Sequence, residues 1–554
     1  MSKTRQMGSV LRRIVLLAGF PTFALTASTT VAPSLAASEA ASAAPSGVIM
    51  RRLTPDQYEH IITQTFGADV SSVARFSDQT RESGLIAISA SRTTVTPPEL
   101  EQFDGLARSI AEKVVDKDHR DLLIPCKPAS LKDADDACAR TFLTSVGRTL
   151  YRRPLTPAEA DARVKAAGEA TRTTQSFYDG LAYALAGMLV SPNFLFRIES
   201  IAGDNKGELD AYSKASRLSF FLWNTQPDEA LLKAAEKGDL DTPKGITAQV
   251  DRMIASRRFE TAIRAFFSDL MMFDEFNALS KDAMIYPRFT QQVTKDAQEQ
   301  TMRTLIDLLL TKKGDYRDIF TTRTTFLTPA LGSLYSMPVP KTTPNMEPAD
   351  WIQVEYPEND PRSGILTQAS FVALHSHPGR SSPTLRGKAL REILLCQRVP
   401  DPPGNVNFTV VQDTNNPQYK TARERLNAHA TEAMCTGCHK ITDPMGLALD
   451  VFDGAGSYRA HENGAQIDTT GTLDGVAFKN AAELGQVLHK HPSAPKCLVT
   501  RLTSYALGRV PANDEKTWIE SLQSGFAKEG YRVPDLFKHV ATSPEFFKVA
   551  VAPK

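Results

Sequence analysis

This sequence predicts a mainly α, multi-domain helical protein, on three observations. At 554 residues with 42% apolar content, the chain is long enough for several folded domains and too apolar for a disordered one. Helix-start signals recur along it, each followed by apolar residues at helical spacing. Strict alternation of apolar and polar residues, the mark of a half-buried strand, is scarce.

The elements follow in order. Thr54-Pro55-Asp56-Gln57 reads as a capping box with proline at the first helical position, and Tyr58, Ile61 and Ile62 follow on one face. Thr156-Pro157-Ala158-Glu159 repeats the device and predicts a long helix through 160–171. The apolar stretch Phe177–Leu189 ends at Ser191-Pro192. A helix over 212–223 stops near Gln226-Pro227, with Phe220 and Trp223 in its core face. Pro227-Asp228-Glu229 opens the next helix, and Gly238 stops it. Further helical patterns cover 250–273 and 289–310, and 467–478 is the best candidate for a small strand pair. The stretch 337–364 is rich in Pro, Asn, Asp and Thr and reads as a long loop or domain boundary. A second break falls at 400–403, where Pro402-Pro403-Gly404 favours an extended turn. These breaks suggest an N-terminal helical part over 47–336 and a C-terminal part over 360–554.

The first residues read as an export signal. Lys3, Arg5, Arg12 and Arg13 form a positive start, an apolar run follows over 14–25, and Ser34-Leu35-Ala36-Ala37 offers small residues to a peptidase. The apolar run falls short of the ~20 residues that span a bilayer, so a cleaved signal peptide over 1–37 is expected rather than an anchor. An Ala/Ser-rich flexible tether follows over 38–46. No later segment is apolar enough to span, so no transmembrane segment is expected after cleavage. Lys plus Arg is 64 and Asp plus Glu is 63; this balance argues against a nucleic-acid partner.

The chemistry sits in Cys435-Thr436-Gly437-Cys438-His439. Two thiols three positions apart can reach two vinyl groups on one porphyrin edge, and the next residue meets the iron. The pattern fits the attachment site of one c-type haem, with His439 as proximal ligand. A thiol–disulfide switch would call for a thioredoxin-like strand–helix surround, and a zinc site for a second Cys/His pair nearby. Neither is present, and a structural disulfide is the remaining alternative. Of the six cysteines, Cys126 and Cys138 close a short loop and are expected to be bridged in an oxidising compartment. By elimination Cys396 and Cys497 form the second bridge, with four free thiols the alternative.

The second axial position is open or filled from elsewhere. Met445 is too close to His439 to cross the ring and reads as core; Met337, Met346, His461, His489 and His491 are the other candidates. A carbonyl near Asp443 or Pro444 is expected to orient His439. Arg459, or Tyr458, is a candidate for a haem propionate; the alternative for Arg459 is a solvated charge or an ion pair with Asp453. His375 and His377 either line a pocket or are structural. No Gly-rich phosphate loop, paired-His zinc helix or Gly-x-Ser-x-Gly elbow appears.

Several stretches resemble the planctomycete-type secreted c-type cytochrome-like family, built from serial domains of unknown function. Arg51-Arg52-Leu53-Thr54-Pro55-Asp56-Gln57-Tyr58 is similar to the first domain of that series, and Tyr151-Arg152-Arg153-Pro154-Leu155-Thr156 to the second. Ser191-Pro192-Asn193-Phe194-Leu195 and Arg217-Leu218-Ser219-Phe220-Phe221-Leu222-Trp223 resemble the central one. Gly364-Ile365-Leu366-Thr367, Ser382-Pro383-Thr384-Leu385-Arg386-Gly387 and the cysteine motif resemble the fourth. Leu502-Thr503-Ser504-Tyr505-Ala506-Leu507-Gly508-Arg509 resembles the last. The sequence departs from the family where Gln300-Thr301 stands in place of a frequent carboxylate, and where Thr442 stands in place of a frequent methionine. The resemblance implies domains over 47–120, 121–205, 206–336, 364–480 (the cytochrome c-like haem region) and 481–554, with a linker over 337–363. The family-type arginines Arg51, Arg52, Arg152 and Arg153 either anchor helices to carboxylates between domains or are solvated.

Three function classes remain. One is an electron-transfer cytochrome, periplasmic or secreted, working with a redox partner protein between an exported dehydrogenase and the respiratory chain. The second is a haem-dependent oxidoreductase with its own substrate pocket, which would use the several hundred residues that a simple carrier does not need. The third is a non-catalytic envelope haem protein or redox sensor. The sequence names no catalytic residue.

Overall fold

The computed structural model describes residues 48–71, 80–92, 94–203, 207–340, 350–401, 407–431 and 433–549. The signal peptide, the tether and the Pro402-Pro403-Gly404 turn lie outside the described residues.

The protein is mainly helical, in several domains, and its strands among the described residues form only two-stranded antiparallel ribbons. Helices start where the caps place them. The Thr54 hydroxyl accepts from the Gln57 amide and the Gln57 side chain returns to Thr54, opening Pro55–Phe66. Thr156 and Glu159 do the same for Pro157–Thr174. Both boxes satisfy amides that a helix start leaves without partners. Phe177–Leu189 is a helix, and so is Ala211–Trp223, closed by Asn224 in the left-handed region. Glu229–Glu236 ends just before Gly238, whose φ is 76°. The pattern over 250–273 resolves into two helices, Pro243–Ile254 and Phe259–Leu270. Gln291–Ile306 runs on into a π turn.

Gly471–Leu473 and Val476–Phe478 pair around Asp474-Gly475, both with positive φ, inside the stretch expected to hold a strand pair. Three ribbons were not expected. Val48–Arg52 pairs with Phe196–Ser200, Thr324–Leu327 with Ile352–Glu355, and His461–Glu462 with Ala465–Gln466. Ile352–Glu355 corrects the reading of 337–364 as loop alone. Its alternate side chains are half-buried, a period too short to stand out among the surrounding prolines.

Two hydrophobic cores result. The smaller runs from Leu53 to Leu195 and reaches Phe220. The larger runs from Ala215 to Phe547, drawing on residues on both sides of 337–363. Among the described residues no helix is long and apolar enough to cross a membrane.

Candidate functional site

The cysteine motif lies on one helix, Ala433–Ala448. Residues three and four apart share a helix face, so Cys435, Cys438 and His439 point the same way. Both cysteines are free thiols and partly exposed. The Cys438 sulfur lies 3.6 Å from the Pro400 carbonyl oxygen. A Cβ added at Gly437 would meet nothing within 4 Å among the described residues.

His439 is oriented by a carboxylate. Its Nδ1 lies 2.7 Å from Asp443 Oδ2, one turn along the helix. Asp443 Oδ1 accepts from the Thr384 hydroxyl at 2.8 Å and the Thr442 hydroxyl at 3.1 Å. The same Thr442 hydroxyl lies 3.0 Å from the Cys438 carbonyl, so its one proton is shared between the two acceptors. The expected carbonyl partner is thus replaced by a side chain. The physical reason is the continuity of the helix through Pro444, which sets His439 and Asp443 at i and i+4.

The motif helix is docked backbone to backbone. A Cβ at Gly446 would overlap the Pro383 carbonyl, and one at Gly387 the Thr442 carbonyl. The two glycines let helix Pro383–Ala389 lie directly on the motif helix. Arg386, fully buried, completes the joint. It donates to the Leu449 and Phe452 carbonyls at 2.7 Å each, to Asp453 at 2.6 Å and to Val372 at 3.1 Å. Burial pulls its guanidinium down to about 10.

His429, which the sequence reading did not single out, packs edge-to-face on His439 with ring centroids 5.1 Å apart. The His429 ring also stacks with Phe408, centroids 5.8 Å apart. Its position ten residues before His439 carries no recognisable spacing, because a turn intervenes between their two helices. The axial candidates from sequence are placed as follows. Met445 is fully buried in the large core and Met337 packs against that core. His489 meets Asp318 at 2.9 Å and His491 meets Asp474 at 3.1 Å. His461 is exposed in its ribbon, and Met346 lies outside the described residues.

Arg459 meets Asp450 at 3.3 Å, Glu462 at 3.5 Å and the Ser381 hydroxyl at 3.0 Å. The ion pair envisaged with Asp453 is not made, because Asp453 instead accepts from the amides of Ala455, Gly456 and Ser457, each at 2.9 Å. Tyr458 is 49% exposed. Burial holds His375 down at about 3, and its Nε2 has no hydrogen-bond partner among the described residues. His377 is likewise held down at about 4.

Cys126 is joined to Cys138, and Cys396 to Cys497. The second bridge ties helix Ser493–Leu507 to the segment just after the Pro383–Ala389 helix. Three of the four family-type arginines meet carboxylates: Arg51 with Glu199, Arg52 with Glu99 and Arg153 with Glu159. Arg152 instead donates to the carbonyls of Asn193, Phe194 and Phe196. Gln300 and Thr301 are fully buried in a network with Thr325, Tyr335 and Gln368, where the Gln300 amide donates to Thr325 and accepts from Tyr335, a pair of roles an ionised carboxylate cannot fill.

Four family models match the chain in serial order, each described as a protein of unknown function. DUF1595 matches residues 138–199, DUF1592 matches 209–337, DUF1588 matches 362–462 and DUF1585 matches 474–546. The motif helix falls within the third match, and Arg51–Tyr58 precedes the first. No curated protein and no solved structure matches the chain.

Proposed function

We propose that this chain, which carries four domains of the planctomycete-type cytochrome-like series in serial order, is an exported c-type cytochrome. In this reading Cys435 and Cys438 hold one covalent haem, and His439 is its proximal ligand. The protein passes electrons in the periplasm from an exported dehydrogenase, through a redox partner, toward the respiratory chain.

The observation that carries the reading is the arrangement on helix Ala433–Ala448: two free thiols and an imidazole on one face, with the imidazole's Nδ1 held by Asp443. Fixing Nδ1–H on a carboxylate leaves Nε2 as the lone-pair nitrogen and makes it a stronger donor. Thr384 and Thr442 keep that carboxylate in place. Haem would supply one-electron redox chemistry, tuned by the axial ligands and their hydrogen bonds. His429, packed beside His439, would be a second imidazole available to hold the haem. Arg459 enters as a propionate contact through the 27% of its side chain left exposed. Two disulfides in one chain favour an oxidising compartment, in keeping with export.

The test is haem staining on a denaturing gel, with the full chain produced alongside a cytochrome c maturation system. Staining is expected for the native sequence and none for Cys435→Ser/Cys438→Ser. An unstained native chain, or staining that survives in the variant, contradicts the reading.

A second reading, a haem-dependent oxidoreductase with its own substrate pocket, is favoured by one observation: a cavity of about 670 Å³ outside the DUF1588 span that holds the motif.

A further inference from the structure

Residues 396–401 run as a strap from the large core to the Cys438 thiol, and the two halves of the strap are held differently. The first half is fixed. Cys396 is bridged to Cys497, which is buried on helix Ser493–Leu507. Its φ of 54° lies in the left-handed region, uncommon for a residue other than glycine or asparagine, and it turns the chain out of the π turn Leu390–Leu394. The Gln397 amide donates to the Arg391 carbonyl at 2.9 Å, and the Val399 amide to Glu392 Oε1 at 3.1 Å. The Val399 side chain is buried. Arg391 in turn donates from Nε to the Ile441 carbonyl of the motif helix at 2.9 Å, and from Nη1 to Asp474 at 2.8 Å. Bridge, turn and motif helix are thus joined.

The second half, Pro400-Asp401, is exposed. Proline has no amide hydrogen with which to anchor itself. Among the described residues, two polar contacts hold this half. The Pro400 carbonyl accepts from the Cys438 thiol at 3.6 Å, and Asp401 Oδ1 meets Lys388 Nζ at 2.9 Å. Lys388 stands on helix Pro383–Ala389, which lies directly on the motif helix. Its ammonium holds the Asp401 carboxyl below the usual carboxylate range.

The two contacts share one peptide unit. The carbonyl that takes the thiol belongs to the planar group that joins Pro400 to Asp401, so a shift of Asp401 carries that carbonyl with it. The ion pair is an open one, with the lysine side chain 30% and the aspartate side chain 78% exposed. A pair so exposed adds little to stability and opens readily.

We propose that Lys388 and Asp401 are positioning residues for Cys438: their ion pair keeps the Pro400 carbonyl on the thiol, and opening the pair frees the sulfur. Whatever bonds to that sulfur must first displace the carbonyl. The role matters to function through the reading of Cys438 as an attachment thiol, on which it rests, but the contact itself does not need haem.

The test is the rate at which iodoacetamide labels Cys438, at fixed pH, in the full chain carrying Cys435→Ser and produced without a maturation system. Sulfur bonds to the reagent's methylene carbon, iodide leaves, and the thiol proton goes to solvent. The reagent is uncharged, so the variants do not steer it. Asp401→Asn and Lys388→Gln should each speed labelling by roughly two- to fivefold, the range over which an exposed ion pair moves an equilibrium. The swap Lys388→Asp/Asp401→Lys should return the rate to the starting value. In about 1 M salt, where the Debye length falls to about 3 Å, the unswapped parent should match the two variants. The melting temperature should stay unchanged throughout. Unchanged rates would overturn the proposal. So would opposite shifts in Asp401→Asn and Lys388→Gln, the sign of a bare field effect, or faster labelling that comes only with a lower melting temperature. A native chain without haem staining would sink the haem reading and leave the labelling result standing.

Discussion

At the motif helix one imidazole meets one carboxylate near the surface, whereas at the Val48–Arg52/Phe196–Ser200 ribbon the guanidinium groups of Arg51, Arg197 and Arg217 share the Glu199 carboxylate in near-complete burial. The first pair joins two groups one turn apart on a single helix. The second set joins groups brought together from three separate segments, Val48–Arg52, Phe196–Ser200 and Ala211–Trp223, and its guanidiniums carry a fixed charge. The first orients one imidazole, and the second ties the segments together.

The sharpest way to break this comparison is to neutralise each carboxylate. Glu199→Gln strands buried guanidiniums and is expected to cost about 3–5 kcal/mol of stability, read from the urea midpoint. Asp443→Asn should cost only about 1 kcal/mol while altering the reduction potential of the loaded protein. Equal losses would mean that the two sites do not differ as described.

Next in size is the backbone joint. Gly446→Ala forces a methyl into the Pro383 carbonyl and should cost about 1–3 kcal/mol, as overpacking does. Thr384→Val, which removes one donor to Asp443, should cost about 1 kcal/mol, read from the urea midpoint. An unchanged midpoint would mean that this donor does not hold the carboxylate.

A further effect is in pH. His375 is held neutral, at about 3 against an ordinary 6.5. Between those values the unfolded chain takes up a proton that the folded chain refuses, so stability should fall as pH drops from 6.5 toward 3. Glu199 adds a second loss, from the ordinary 4.5 toward 2. His375→Gln should flatten the upper part of the curve only, and a flat native curve above pH 5 would contradict the assignment.

The local features were legible in the sequence. The capping boxes at Thr54 and Thr156, the Phe177–Leu189 helix and the cysteine motif each need only a few neighbouring residues. A carbonyl near Asp443 or Pro444 was the expected partner of His439; the helix continues through Pro444 and turns the Asp443 carboxylate onto His439 instead. The cavity was not legible. Its Arg197 sits in a five-residue strand that pairs with Val48–Arg52, and its Tyr505 comes from the far end of the chain. Nothing in the local pattern announces that these positions meet.

The measurement closest to the central claim is the intact mass of the exported protein under denaturing conditions. The account predicts the mass of the processed chain plus one haem, and loss of that increment in Cys435→Ser/Cys438→Ser. A native protein at the bare chain mass, with Cys435 and Cys438 joined to each other as a disulfide, would contradict it.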